Sequence, residues 1–163
     1  FLKDIVYYTN KNSVNLFAEA LGELISPTDY ARTVKAELSG MGIDSCGITL
    51  KDASGLSPAN AVPAEVFTDL LIWAKGHLSD VFVASLPQGN VDWGLRVYSD
   101  HPVLRENVIA KTGSMSGVRA LAGYLKNQKG ETLAFTILVN NYVGDPVKVQ
   151  EIIRDLLKDI ADK

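Results

Sequence analysis

The last third of the chain constrains its fold most. Asn107–Thr112, Gly117–Lys126 and Thr132–Asn141 are runs rich in Thr, Ile, Val, Phe and Tyr, with Gly113 after the first and Asn127–Gly130 between the second and third. Such runs bounded by turn residues predict strands, and joints this short suit antiparallel neighbours. Asp145 then caps a final helix with Pro146 at its first position. Val149, Ile152, Ile153, Leu156, Leu157 and Ile160 form one apolar stripe along that helix.

Upstream, the apolar spacing becomes helical. Within Ser13–Ile25, Val14, Phe17, Leu21 and Leu24 recur on one face, widened by Leu16 and Ala20. Ser26 as cap, Pro27 and Asp29 start a second helix that buries Tyr30, Val34, Leu38 and Met41 and stops at Gly42. A short strand is expected at Gly47–Lys51 and a loop at Asp52–Asn60. Pro63 opens a helix over Ala64–Lys75, with Val66, Phe67, Leu70, Leu71 and Ala74 inward. Asp80–Leu86 suits either a strand or a short helix, and Gln88–Arg105 reads as loop. A helical cluster, then a three-stranded antiparallel meander and a closing helix, makes an α+β fold with one sheet. The 163 residues are one domain's worth of chain.

Composition removes several function classes. Nineteen acids against 16 Lys and Arg give a net charge of −3, so no nucleic-acid footprint is expected. No apolar run approaches the ~18 residues of a membrane span. Cys46 is the one cysteine, which excludes an internal disulfide; it is expected to be a small buried hydrophobe. His77 and His101 are the histidines, and neither stands at metal-ligand spacing, so no metal and no cofactor is expected. His77, near a helix end, suits a structural role. Nothing local supports a Cys46–His77 dyad, and Asp92 and Asp100 read as solvated or capping loop acids.

Two short segments carry groups able to do chemistry. Lys111-Thr112-Gly113-Ser114 ends a predicted strand and offers an ammonium, two hydroxyls and a glycine that admits a substrate backbone. A point charge with hydroxyl donors suits recognition of a terminal carboxylate. Alone the tetrapeptide is a weak signal, because such runs also occur in turns. Ser13-Val14-Asn15 is weaker by itself, since Ser13 could simply cap the following helix. Its functional reading makes Ser13 a proton-relay hydroxyl and Asn15 a substrate-binding amide.

In context the two segments resemble the second and third elements of the penicillin-binding proteins, Ser-x-Asn and Lys-Thr-Gly, which follow a Ser-x-x-Lys element. Asn10 to Glu19, with Ser13-Val14-Asn15 inside, is similar to the second element in the D-alanyl-D-alanine carboxypeptidase/endopeptidase family typified by penicillin-binding protein 4. Asp52-Ala53-Ser54-Gly55-Leu56-Ser57 resembles that family's Asp-Gly-Ser-Gly-Leu-Ser loop, with Ala53 in place of a glycine. Ser85-Leu86-Pro87 and Val91-Asp92-Trp93-Gly94-Leu95-Arg96 are similar to its Leu-Pro…Val-Asp-Gly-Thr-Leu segment, departing at Trp93-Gly94. Ala110 to Tyr124 resembles the third element and its following strand. The resemblance runs through nearly the whole chain, in order.

The resemblance implies a β-lactamase/transpeptidase-like fold, of which this chain would be the C-terminal part. It implies that Lys111, Thr112 and Ser114 hold the carboxylate of a terminal D-alanine or of a β-lactam, with Gly113 between them. It gives the Ser114 N–H an oxyanion-hole role, Ser13 a proton relay and Asn15 the acyl-side amide. The partners implied are peptidoglycan peptides ending in D-Ala-D-Ala, and the location implied is extracytoplasmic (periplasmic).

A serine acyl transferase also needs a hydroxyl beside its activating base, and no Ser-x-x-Lys occurs between Phe1 and Lys163. The expectation is a single partial domain over 1–163, without its nucleophile and inactive alone. Phe1-Leu2-Lys3-Asp4-Ile5-Val6, which starts inside a patterned segment, favours a piece of a longer enzyme over the alternative, a non-catalytic peptidoglycan- or partner-binding module. In the intact fold that the resemblance implies, an earlier strand borders Thr132–Asn141. Here that strand is expected to be an open edge through which two copies pair.

Overall fold

The computed structural model describes residues 1–78 and 80–163. Its frame is an antiparallel meander of β1 (Val108–Met115), β2 (Val118–Lys126) and β3 (Thr132–Asn140), in that spatial order. Val118 pairs with both Met115 and Asn140, which fixes both registers. Gly117, at φ 67, makes the tight β1–β2 joint. Gly123 lets β1 come close, since a Cβ there would lie 2.5 Å from the Ala110 Cα.

The two faces of the sheet are covered by different helices. α7 (Pro146–Ala161) lies on one face, where Ile153, Leu157 and Ala161 join Val108, Ala110, Leu121 and Leu125 in the main core. Asp145 caps it by accepting from the Val147 N–H at 2.8 Å, as the sequence predicts. Ile152 and Leu156 are exposed, correcting the six-residue stripe. The face that meets the sheet runs through 153, 157 and 161, with Ile160 packed at its margin, and Ile152 and Leu156, one residue back from 153 and 157, turn to solvent. Over the other face lies α4 (Ala64–His77), whose Leu71 packs with Leu86 and Tyr124. The buried Tyr124 hydroxyl donates to the Leu71 carbonyl at 2.7 Å, tying sheet to helix. Phe67 was expected inward and is exposed, because the inward arc of α4 runs through Val66, Leu71 and Ala74. His77 stacks on Trp73 at 4.6 Å in the last turn of α4, a structural use of the ring.

The helical part begins with α1 (Leu2–Asn12) and α2 (Asn15–Ile25), followed by α3 (Tyr30–Gly40). Ser13 is not the N-cap of α2. It closes α1 in the left-handed conformation, at φ 53 and ψ 48, and Val14 precedes α2. Asp29, rather than Ser26, caps α3 by accepting from the Arg32 N–H at 3.3 Å, while Ser26 Oγ accepts from the Asp29 N–H. Leu38 and Val66 join Ile43 and Ile48 in a separate small core.

The remaining differences lie in short segments. The expected strand at Gly47–Lys51 is reduced to one bridge between Thr49 and Ala61. Asp80–Leu86 resolves as a short helix, α5 (Val81–Ser85). Within Gln88–Arg105 the expected loop contains a 3₁₀ helix (Trp93–Tyr98) and the start of α6 (Pro102–Asn107). Buried Leu95, Tyr98 and Leu104 anchor these turns to the core, a tertiary pull that local composition does not reveal. Cys46 is exposed, correcting its expected burial, because it lies in a turn whose backbone bonds to Asp44. None of the described helices is long and apolar enough to cross a membrane.

Candidate active site

The site forms where the α1–α2 joint meets the free edge of β1. Lys111 projects from β1 and its Nζ donates to Ser13 Oγ at 2.9 Å and to the Thr112 carbonyl at 2.8 Å. Burial pushes the Lys111 ammonium below its ordinary value. Among the described residues no carboxylate pairs with it. Asn15 is exposed at the first position of α2, two residues beyond Ser13, with its side chain free of hydrogen bonds to the described residues.

The direction of the β1 backbone follows from its neighbours. In an antiparallel pair the residues alternate between bonding across the pair and turning outward. The Ala110 N–H donates to the Pro87 carbonyl at 2.9 Å, and the Val108 carbonyl accepts from Gly89. Even-numbered β1 residues therefore turn their backbone groups away from β2. By the same alternation the Thr112 and Ser114 amides point outward from the edge. Their side chains lie on the α7 face, opposite to Lys111, so the tetrapeptide straddles the edge with its ammonium on one side and two hydroxyls on the other.

On the hydroxyl side is a cavity of about 620 Å³, lined by Trp93, Gly94, Thr112, Gly113, Ser114 and Arg119 among others. A Cβ at Gly94 would lie 3.5 Å from Thr112 Oγ1, so this glycine leaves room beside the hydroxyl. The structure thus brings Ser13, Lys111, Thr112, Gly113 and Ser114 to one strand edge.

Two groups outside the predicted set complete the surroundings. Lys11 and Asp92 form an ion pair at 2.8 Å with side chains 9% and 18% exposed, and Asp92 also accepts from the Gln88 N–H at 2.7 Å. With the Asn10–Ser85 bond at 2.8 Å, this pair fixes the end of α1 to the segment leading into β1. Arg119 lies opposite Ser114 on β2 and contacts its Oγ. A signal for Arg119 was present in the sequence. A turn at Ser116-Gly117 puts 119 across from 114, but the residue reads as an ordinary strand cation until that register is counted.

The loop similar to the family's Asp-Gly-Ser-Gly-Leu-Ser is held by two acids. Asp52 accepts from the Gly55 and Ser57 amides at 2.8 and 2.6 Å and from Asn60 Nδ2 at 2.8 Å. Burial alone would raise its carboxyl, and these bonds outweigh that, leaving it below its ordinary value. Glu19 of α2 accepts from the Ser54 and Ala53 amides at 2.9 and 3.3 Å, and its bonds from Ser54 lower it as well.

The D-Ala-D-Ala carboxypeptidase 3 (S13) family matches over residues 1–162. A D-alanyl-D-alanine carboxypeptidase of Actinomadura sp. is 41% identical over 135 residues, covering 78% of this chain and 25% of that protein. The carboxypeptidase DacB of Haemophilus influenzae is 33% identical over 159 residues, covering 88% of this chain and 33% of its own length. The chain thus spans a quarter to a third of these relatives. The crystal structure of penicillin binding protein 4 from H. influenzae, complexed with a β-lactam, superposes with a TM-score of 0.90 at 28% identity, over 98% of this chain and 41% of that one. An extended-spectrum β-lactamase shares the fold with a TM-score of 0.78 at 18% identity. The α+β, β-lactamase/transpeptidase-like architecture agrees with these matches, and the chain belongs to the D-Ala-D-Ala carboxypeptidase 3 (S13) family.

Proposed function

We propose that this chain is the substrate-recognition part, over residues 1–163, of a serine-type D-alanyl-D-alanine carboxypeptidase/endopeptidase acting on peptidoglycan peptides outside the cytoplasm. The observation that carries the reading is the 2.9 Å bond from Lys111 to Ser13, which joins the two motif segments at an open strand edge. Thr112 and Ser114 would hold the terminal D-alanine carboxylate by their hydroxyls, with Lys111 supplying charge and Gly113 admitting the substrate backbone. The outward Ser114 amide would be one donor to the developing oxyanion. Ser13, polarised by Lys111, would pass a proton towards the leaving amine, and Asn15 would bind the acyl-side amide.

The chain contains no Ser-x-x-Lys pair. It would therefore bind but not be acylated by β-lactams, the nucleophile being supplied by a further part of the enzyme. In the isolated chain, β3 would pair with a second copy along its open edge. Fluorescent-penicillin labelling tests the central reading. This chain should give no covalent band and the full-length gene product should give one. A band on this chain, or none on the full-length product, would overturn it.

A further inference from the structure

Arg119 has more hydrogen-bonding capacity than its neighbours use. Its Nη1 contacts Ser114 Oγ and donates to the Val118 carbonyl at 3.3 Å. Its Nε is buried with no partner, and Nη2 makes no hydrogen bond to the described residues. No described carboxylate pairs with it, and the Tyr142 ring lies 6.0 Å from its guanidinium carbon. A guanidinium is always charged and carries five donors and no acceptor. Arg119 lines one cavity with the Thr112 and Ser114 hydroxyls, and a guanidinium with donors to spare beside two hydroxyls marks a place for an anion.

We propose that Arg119 is the second cation of the carboxylate site and sets its preference for an acid over a neutral chain end. The proposal rests on the reading of Thr112 and Ser114 as carboxylate donors. Because Nη1 donates to Ser114 Oγ, that oxygen is used as an acceptor and its own proton is free to point at the ligand. Arg119 would then act on the same carboxylate through Nη2 from the α7 side of the sheet, while Lys111 acts from the other. Arg96 and Asp100 also line this cavity, and their opposite charges leave Arg119 to decide its sign.

The test is an NMR titration of the 163-residue chain with N-acetyl-D-alanyl-D-alanine and with its C-terminal amide. In the native chain the acid should bind about tenfold more tightly than the amide and shift the Arg119 Nε–H resonance. Arg119→Gln should cut the acid-over-amide ratio to about threefold, the remainder resting on Lys111, and Arg119→Lys should restore part of the loss. An unchanged acid-over-amide ratio in Arg119→Gln, or a native Nε–H resonance that stays still while the acid binds, would overturn the role of Arg119 and leave the proposed function standing. Failure of the native chain to bind either ligand would overturn both.

Discussion

Lys111 Nζ and Ser13 Oγ are 2.9 Å apart although 98 positions separate the two residues in the chain. Because burial lowers the Lys111 ammonium from its ordinary 10.5, it loses its proton earlier than a solvated lysine as pH rises. The charged form is the one that attracts a carboxylate. Binding of N-acetyl-D-alanyl-D-alanine should therefore be full below the shifted value and fall as pH passes through it, beginning below 10.5. Lys111→Met should weaken binding by about tenfold and remove this pH dependence, read by titration at stepped pH. A flat profile in the native chain would contradict it.

Removal of one partner from the Lys11–Asp92 pair leaves the other charge in a nearly dry setting. Lys11→Met or Asp92→Leu alone should destabilise the fold by about 3 kcal/mol. The double variant should recover much of that loss, because the uncompensated charge is gone. Urea unfolding of the four proteins in a double-mutant cycle measures the coupling. Additive losses would show that the pair acts through packing alone.

The loop around Asp52 should respond to acid. Both Asp52 and Glu19 have carboxyls lowered in the folded chain, from 3.8 and 4.5. Their contribution is present above those unfolded values and is lost as pH falls through the lowered folded ones. Asp52→Asn should cost about 1–2 kcal/mol at neutral pH and flatten the acid limb of the stability curve. Chemical denaturation between neutral and acidic pH reads both effects.

The β3 edge should make the isolated chain associate at high concentration. Sedimentation equilibrium should show a concentration-dependent dimer, and the outward amides of Thr132–Asn140 should be protected from exchange in it. A monomer whose β3 amides exchange freely would remove the expectation.

Much of this was legible from residue order, for identifiable reasons. The meander declared itself because β-branched runs and short turns are local signals, and the α7 cap was readable at Asp145-Pro146. Lys111 and Ser13 could be paired in advance only through the family resemblance, since nothing local joins positions so far apart. The 3₁₀ turn at Trp93–Tyr98 was invisible because Leu95 and Tyr98 are drawn into a core assembled from distant strands and α7. Cys46 departs from expectation because its residue type favours burial while its turn faces solvent.

The left-handed backbone at Ser13 limits which side chains could serve there. Threonine offers the same hydroxyl, but its branched Cβ makes a positive φ a severe outlier. Glycine relaxes the backbone while deleting the hydroxyl, whereas alanine deletes the hydroxyl and keeps the strain. Comparing these three replacements would separate what this position does for chain geometry from what its oxygen does for a passing proton.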